Sequence, residues 1–390
     1  MARSLSSLWL KSLTRIAKSQ QNKLVHSLTA ATKKATKAAV KKALAPPKPP
    51  AKPAPKPAAR PAAKAAPQPR TKPAAKPAAK SAPPAALPGS WTRSFFAAPN
   101  GQRMTYWLYL PLRDKAQAHK PLPLVVMLHG CTQTAPEFAQ GSRMNALAQR
   151  KGFAVLYPQQ LLTIDAHRCW QWYQRATQNG GGEAGLVAGM VTQVVAKLGL
   201  DASRVYLAGI SAGAALAQII ALRYPFRIAA VGLHSCPVFG TADSRMSAFG
   251  AMQTGGGTHV AQAVQATVEG GGFPRMPAII LHGESDKVVR IVNQHQVAQQ
   301  FLRVNGIANL VPVTVHTPAR PKGRSPRHAF QTQDYRVGRK PIVSVYRIAG
   351  LEHAWSGGDG ALRFNNSVGP DASALLWAFF SKHRRLRTLK

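Results

Sequence analysis

Seven short apolar runs govern what this chain can fold into. They occupy residues 105–110, 124–128, 153–157, 205–208, 230–233, 278–281 and 343–348. Between or after them lie helical stretches at 142–150, 185–198, 212–223, 293–304 and 371–383. A strand that is apolar at nearly every position is buried on both faces, and strands separated by helices pair in parallel. The pattern predicts an α/β fold, a mostly parallel central sheet with helices on both faces, as one domain over residues 91–390.

Charge divides the chain differently. Of 52 Lys and Arg, 19 fall in residues 1–90, which hold no Asp or Glu; the first acid is Asp114. The remaining 33 bases face 13 acids, so the net charge of +39 does not describe a uniformly basic protein. Residues 45–90 are almost all Pro, Ala, Lys and Arg and carry 15 of the 31 prolines. That composition predicts an extended, semi-rigid linker. Residues 1–44 lack Gly and Pro and place Leu5, Trp9, Leu13 and Ile16 at helical spacing, with Lys11, Arg15 and Lys18 opposite. This reads as a basic amphipathic helix suited to an anionic or apolar surface, the alternative being a solvated, disordered basic arm. The same three cations interrupt any secretory apolar stretch, so a cytoplasmic, granule-associated chain is expected over a secreted one; an organellar transit peptide has the same basic character. Three cysteines exclude a disulfide scaffold, and no apolar run of about 18 residues predicts a transmembrane span.

The sharpest local signal is Gly209-Ile210-Ser211-Ala212-Gly213, placed after an apolar run and opening a helical one. A tight strand-to-helix turn of this kind lifts a serine into an exposed, strained position. The plainer reading is an N-capping serine on an ordinary helix. A nucleophilic serine needs a base, and the base needs an orienting acid. His353, after the run at 343–348, fits the base. Asp286, in His282-Gly-Glu-Ser-Asp286, fits the acid, with Glu284 competing two residues away and Asp334 in a basic loop. His129, His234 and His282 end strand-like runs and have plain roles at turns, while His295, His316, His328 and His383 are the base's rivals by position. Backbone amides of Cys131 and Ala212 are candidates for an oxyanion hole. No cysteine has zinc-ligand spacing with histidine, and Gly180–Gly182 lacks the Lys-Ser/Thr of a phosphate loop, so no metal or cofactor is expected.

The segments Leu124-Val-Val-Met-Leu-His-Gly-Cys-Thr-Gln133, Arg143-Met-Asn-Ala-Leu-Ala148, Arg168-Cys-Trp170, Gly180-Gly-Gly-Glu183 and Gly209-Ile-Ser-Ala-Gly213 resemble the polyhydroxybutyrate (PHB) depolymerase family of esterases. The resemblance runs from about Phe95 to the C-terminus. It implies an α/β-hydrolase fold, hydrolysis of short-chain poly(3-hydroxyalkanoate) esters, a triad of Ser211, Asp286 and His353, and Cys131 in the oxyanion loop. Feruloyl and acetylxylan esterases are close relatives of that family and supply the alternative substrates. Cys131 and Cys169 both lie in family motifs, and a disulfide between them is the leading pairing, although a reducing cytosol would oppose it. Cys236 is expected to be small and buried. Family members typically carry a signal peptide and a polymer-binding module, and this sequence has neither pattern. Loop aromatics Trp170, Trp172, Tyr173 and Trp355 are therefore candidate substrate-binding residues, packing of the loops being the even alternative.

Two classes of function follow. One is a serine esterase acting on a polyester or small ester. The other is a binding protein whose residues 1–90 contact nucleic acid, an anionic surface or a polymer granule in a salt-sensitive way. A hybrid uses both segments. The chain thus divides into 1–44, 45–90 and 91–390.

Overall fold

In a computed structural model of the chain, the structure describes residues 87–385 except 115, 117, 118, 258, 259, 270, 271, 321, 324 and 325. The expected helix-capable segment 1–44 and all but the last residues of the linker 45–90 lie outside the described residues.

Ten strands form one sheet: β1 (Ser90–Ala97), β2 (Arg103–Leu110), β3 (Leu124–Leu128), β4 (Ala154–Pro158), β5 (Val205–Ile210), β6 (Ala230–His234), β7 (Ala278–Gly283), β8 (Val313–Thr317), β9 (Phe330–Val337) and β10 (Lys340–Ile348). The order is β1-β2-β4-β3-β5-β6-β7-β10-β9-β8. From β4 to β10 every pairing is parallel, while β1, β2, β8 and β9 add antiparallel edges. The sheet is therefore mixed, with a parallel centre. β1, β8 and β9 are additions to the seven expected strands. They pair at the margins and are largely exposed or half-buried, so none shows a continuous apolar run.

Helices α1 (Ala135–Ser142), α2 (Met144–Lys151), α3 (Arg175–Gln178), α4 (Gly182–Leu198), α5 (Ala212–Arg223), α6 (Arg245–Thr254), α7 (Val260–Val268), α8 (Val292–Val304) and α9 (Ala372–Phe380) make up the layers. Successive side chains of a strand point to opposite faces. Leu124, Val126 and Leu128 of β3 accordingly join a core with Val187 of α4, Leu216 of α5 and Phe301 of α8. Val125 and Met127 join a second core with Phe138 of α1, Leu147 of α2 and Leu376 and Phe380 of α9. The expected helix at 142–150 is α2, which begins at Met144; α1 is an additional helix that ends just before Arg143, whose left-handed conformation (φ 55°) separates the two. Thr134 and Glu137 close a reciprocal cap at the start of α1.

Parallel strands all end on the same side of the sheet. The segments after β3, β5, β7 and β10 carry Cys131, Ser211, Asp286 and His353, so the sheet delivers these four distant positions to one edge. A two-stranded parallel ribbon, β11 (Trp355–Ser356) with β12 (Asn365–Asn366), follows His353 directly.

Candidate active site

β5 runs straight into α5 with only Ser211 between them. Ser211 has φ 57° and ψ −126°, a region that side-chain-bearing residues rarely occupy and that costs on the order of 1–3 kcal/mol. The conformation is held from both sides. Ser211 N donates to His234 O at 3.0 Å, and Ser211 O accepts from Ala215 N at 3.0 Å. Two close approaches require the flanking glycines: a Cβ on Gly209 would meet the Gly213 backbone, and one on Gly213 would overlap the Leu128 and His129 carbonyls. Ser211 is buried and makes no side-chain capping bond, which sets aside the N-capping reading.

His353 and Asp286 come together, with His353 Nδ1 2.7 Å from Asp286 Oδ2. The other carboxylate oxygen accepts from Val288 N and Val289 N, each at 2.9 Å. Burial would raise the Asp286 pKa. The hydrogen bond to His353, the charges of His353 and His282, and the Val289 amide outweigh it and hold the carboxyl below its ordinary value. His282 lies behind, its Nε2 donating to Val289 O at 2.7 Å and standing 3.6 Å from Asp286 Oδ2. The competing acids are engaged elsewhere: Glu284 pairs with Arg347 at 2.7 Å, and Asp334 pairs with Arg336 and Ser344. Because Nδ1 of His353 is tied to Asp286, Nε2 is the nitrogen left to exchange a proton.

The loop after β3 is fixed by a network that sequence reasoning did not find. Gln160 N donates to His129 Nε2 at 3.1 Å, so the proton sits on His129 Nδ1, which donates to Gly130 O at 2.8 Å. Gly130 C=O and Cys131 N–H belong to one planar trans peptide and point opposite ways. Holding the carbonyl therefore aims the Cys131 amide. Burial pushes the His129 imidazole down to about 4, which keeps it neutral and Nε2 an acceptor. Thr132 N donates to His167 O at 2.5 Å, and Trp170 Nε1 donates to His129 O at 3.0 Å. Cys131 and Cys169 are disulfide-bonded, and Cys236 is a buried free thiol. Ala212 opens α5, where an amide has no intrahelical acceptor.

Behind this loop sits Glu183 in the first turn of α4. It accepts from Gln160 Nε2 and, at 2.7 Å, from Gln171 N. Burial pushes its carboxyl up to about 7, beyond what the two donors offset, and Asp165 adds to the rise. Asp165 organises the Cys169 turn through His167 N and Cys169 N and pairs with Arg245 at 2.6 Å. Buried acids that hold neighbouring amides leave no local pattern in sequence, and only the Gly180–Glu183 segment hinted at this one.

The aromatic expectation needs correction. Trp170 (0% exposed), Trp172 (5%) and Trp355 (1%) are core residues with no free face for a substrate. Trp170 packs on His129, and Trp355 lies between Phe138 and His234. Tyr173 is partly buried and its hydroxyl accepts from Arg245. Among the described residues no group of three or more His, Cys, Asp or Glu could hold a metal ion, and no helix is long and apolar enough to cross a membrane.

Residues 104–321 match the family model described as esterase PHB depolymerase, a span that takes in Ser211 and Asp286 and stops before His353. The chain is similar to poly(3-hydroxyalkanoate) depolymerase C of Paucimonas lemoignei, at 32% identity over 59% of this chain and 54% of the relative. It is also similar to a probable acetylxylan esterase A of Neosartorya fischeri, at 28% identity over 61% of this chain and 64% of the relative. The chain thus spans less than two thirds of the length of these curated relatives. Among solved structures, an acetyl xylan esterase from Aspergillus awamori superposes with a TM-score of 0.60 at 22% identity, covering 75% of this chain and 99% of that one, which shows a shared fold.

Proposed function

The chain belongs to the esterase PHB depolymerase family, and from that premise we propose that it is a serine esterase acting through an acyl-enzyme, with short-chain poly(3-hydroxyalkanoate) as its substrate class. The observation that carries the reading is the strained Ser211 turn on the same sheet edge as the His353–Asp286 pair. Ser211 Oγ attacks the ester carbonyl as His353 Nε2 takes its proton, and Asp286 steadies the imidazolium through Nδ1–H. The negative charge that develops on the carbonyl oxygen meets the amides of Cys131 and Ala212. His353 then protonates the departing alcohol, activates water, and the acyl-enzyme is hydrolysed.

Ser211→Ala tests this directly. Hydrolysis of p-nitrophenyl butyrate is expected to vanish while the melting temperature holds, and near wild-type turnover would sink the reading. The second reading, a feruloyl or acetylxylan esterase, is favoured by the names of other relatives, among them a feruloyl esterase B of Neurospora crassa that is 35% identical over 32% of this chain. Product analysis with amorphous poly(3-hydroxybutyrate), acetylated xylan and feruloyl esters separates the two.

We further propose the division into 1–44, 45–90 and 91–390, and contact of residues 1–90 with a polymer granule, an anionic surface or nucleic acid. Support comes from 19 bases and no acids in that stretch. Full-length protein and a protein starting at Trp91 are compared for binding to DNA and to polymer granules at two salt concentrations. Equal binding by both eliminates contact through this segment.

A further inference from the structure

A cleft of about 420 Å³ opens beside His353, with Lys287, Val288, Glu352, Phe364 and Asn366 in its lining. His353 Nδ1 faces inward onto Asp286, whose side chain is fully buried. His353 itself is among the residues that line the cleft, and Nε2 is its nitrogen not tied to Asp286. Val288 is 46% exposed, and its backbone is anchored by a donor bond to Asp286 and an acceptor bond from Gln253 at 2.9 Å. Phe364 has φ 60°, the left-handed region, which a bulky aromatic enters only when its surroundings dictate it. They do so here. Trp355 N donates to Phe364 O at 2.8 Å beside the β11–β12 ribbon, and the Arg363 guanidinium stands 5.1 Å from the ring centroid. Asn366 Oδ1 accepts from Val368 N at 2.8 Å, which leaves its amide nitrogen to donate elsewhere.

General acid catalysis decides what such a cleft receives. When the tetrahedral intermediate collapses, the bond from carbonyl carbon to alcohol oxygen breaks, and that oxygen takes the proton from His353 Nε2. The imidazole returns neutral, and the acyl group stays on Ser211. The alcohol oxygen must therefore lie within reach of Nε2, and whatever is attached to it needs space beside His353, which this cleft offers.

We propose that the cleft is the leaving-group subsite and takes the alcohol portion of the ester as a hydroxy-acid oligomer. Phe364 and Val288 cover its methyl and methylene groups, and Asn366 and Lys287 donate to its carbonyl and carboxylate oxygens. Glu352, the acid of the lining, sets a preference for neutral ester units over a second carboxylate. The proposal rests on the esterase reading and adds to it the side from which the chain is cut.

The test compares two esters with the same acyl group: ethyl 3-hydroxybutyrate, with a small alcohol, and the linear 3-hydroxybutyrate trimer. Phe364→Gly removes the ring while suiting φ 60°, so the fold is retained. The ratio of kcat/KM for the trimer to that for the ethyl ester is expected to fall about tenfold. Phe364→Tyr, which keeps an aromatic face, is expected to restore it. A ratio within twofold of wild type in Phe364→Gly overturns the proposal. In a Ser211→Ala background, calorimetry with the trimer is expected to show the same loss of affinity on adding Phe364→Gly, and equal affinity overturns the proposal independently. Inertness of the wild type toward both esters would count against the esterase reading, while the calorimetric comparison still decides the cleft.

Discussion

Removing the Cys131–Cys169 bond separates what the disulfide does for the fold from what it does for the proposed oxyanion loop. The bond closes a loop with a sequence separation of 38. Chain-entropy reasoning assigns such a loop about 4 kcal/mol of stabilisation. Unfolding roughly 300 residues releases about 0.6 kcal/mol per kelvin, so the double variant Cys131→Ser, Cys169→Ser should melt about 6 °C lower. Turnover should suffer far less. The Gly130–Cys131 peptide keeps its bond from His129 Nδ1, Thr132 N keeps His167 O, and Trp170 Nε1 keeps His129 O. Scanning calorimetry and turnover of p-nitrophenyl butyrate at 25 °C, with and without reductant, give both readings. A loss of less than about tenfold in kcat is expected, against about 10²–10³ for a lost oxyanion donor. If kcat fell by that larger factor while the melting temperature moved by less than about 2 °C, the hydrogen-bond account of the loop would be wrong.

Asp286→Asn should cost on the order of 10⁴ in kcat by favouring the wrong imidazole tautomer, with Glu284→Gln close to wild type because Glu284 faces Arg347; comparable losses would reassign the acid. Gly213→Ala should destabilise by about 3 kcal/mol or more in urea melts, since its Cβ meets backbone carbonyls and no side chain that could yield. A wild-type midpoint would contradict that packing. Stability should also track pH. Burial lowers His129, His234 and His383 to about 4, 3 and 4, so the unfolded chain takes up more protons below the ordinary value of 6.5 and stability is lost as pH falls from 6.5 toward 4. Glu183, raised from 4.5 to about 7, acts oppositely: it keeps its proton when folded and gives it up when unfolded, so its contribution falls as pH rises through that window. Glu183→Gln should therefore steepen the rise in melting temperature between pH 4.5 and 6.5, and an unchanged slope would show that Glu183 titrates normally.

The central strands were legible because burial on both faces writes itself as continuous apolar sequence; Leu124–Leu128 is buried at every position. β9, Phe330–Val337, is mostly polar (Gln331, Thr332, Gln333, Asp334 and Arg336) at a half-buried margin, and its pairing depends on its neighbours β10 and β8, not on its own composition. The Ser211 turn was readable because one glycine-flanked serine between strand and helix has few other uses. Asp286 and Glu284 differ by two positions on one turn, and only the fold decides which of them faces His353. The tryptophans were misplaced for a related reason. A loop sequence does not say on which side of the loop its indoles lie, and Trp170 turns inward to brace His129. The Glu183–Gln160–His129 relay joins three segments far apart in sequence, so no local spacing could reveal it.

The four strand ends that bear Cys131, Ser211, Asp286 and His353 have one more consequence. β10 lies on the far side of β7 from β5, so the His353–Asp286 pair shares an edge with Ser211 only when β5, β6, β7 and β10 are all paired. On the proposed esterase reading, a partly assembled sheet is therefore expected to have no partial activity, and under heat or denaturant inactivation and unfolding should follow a single curve.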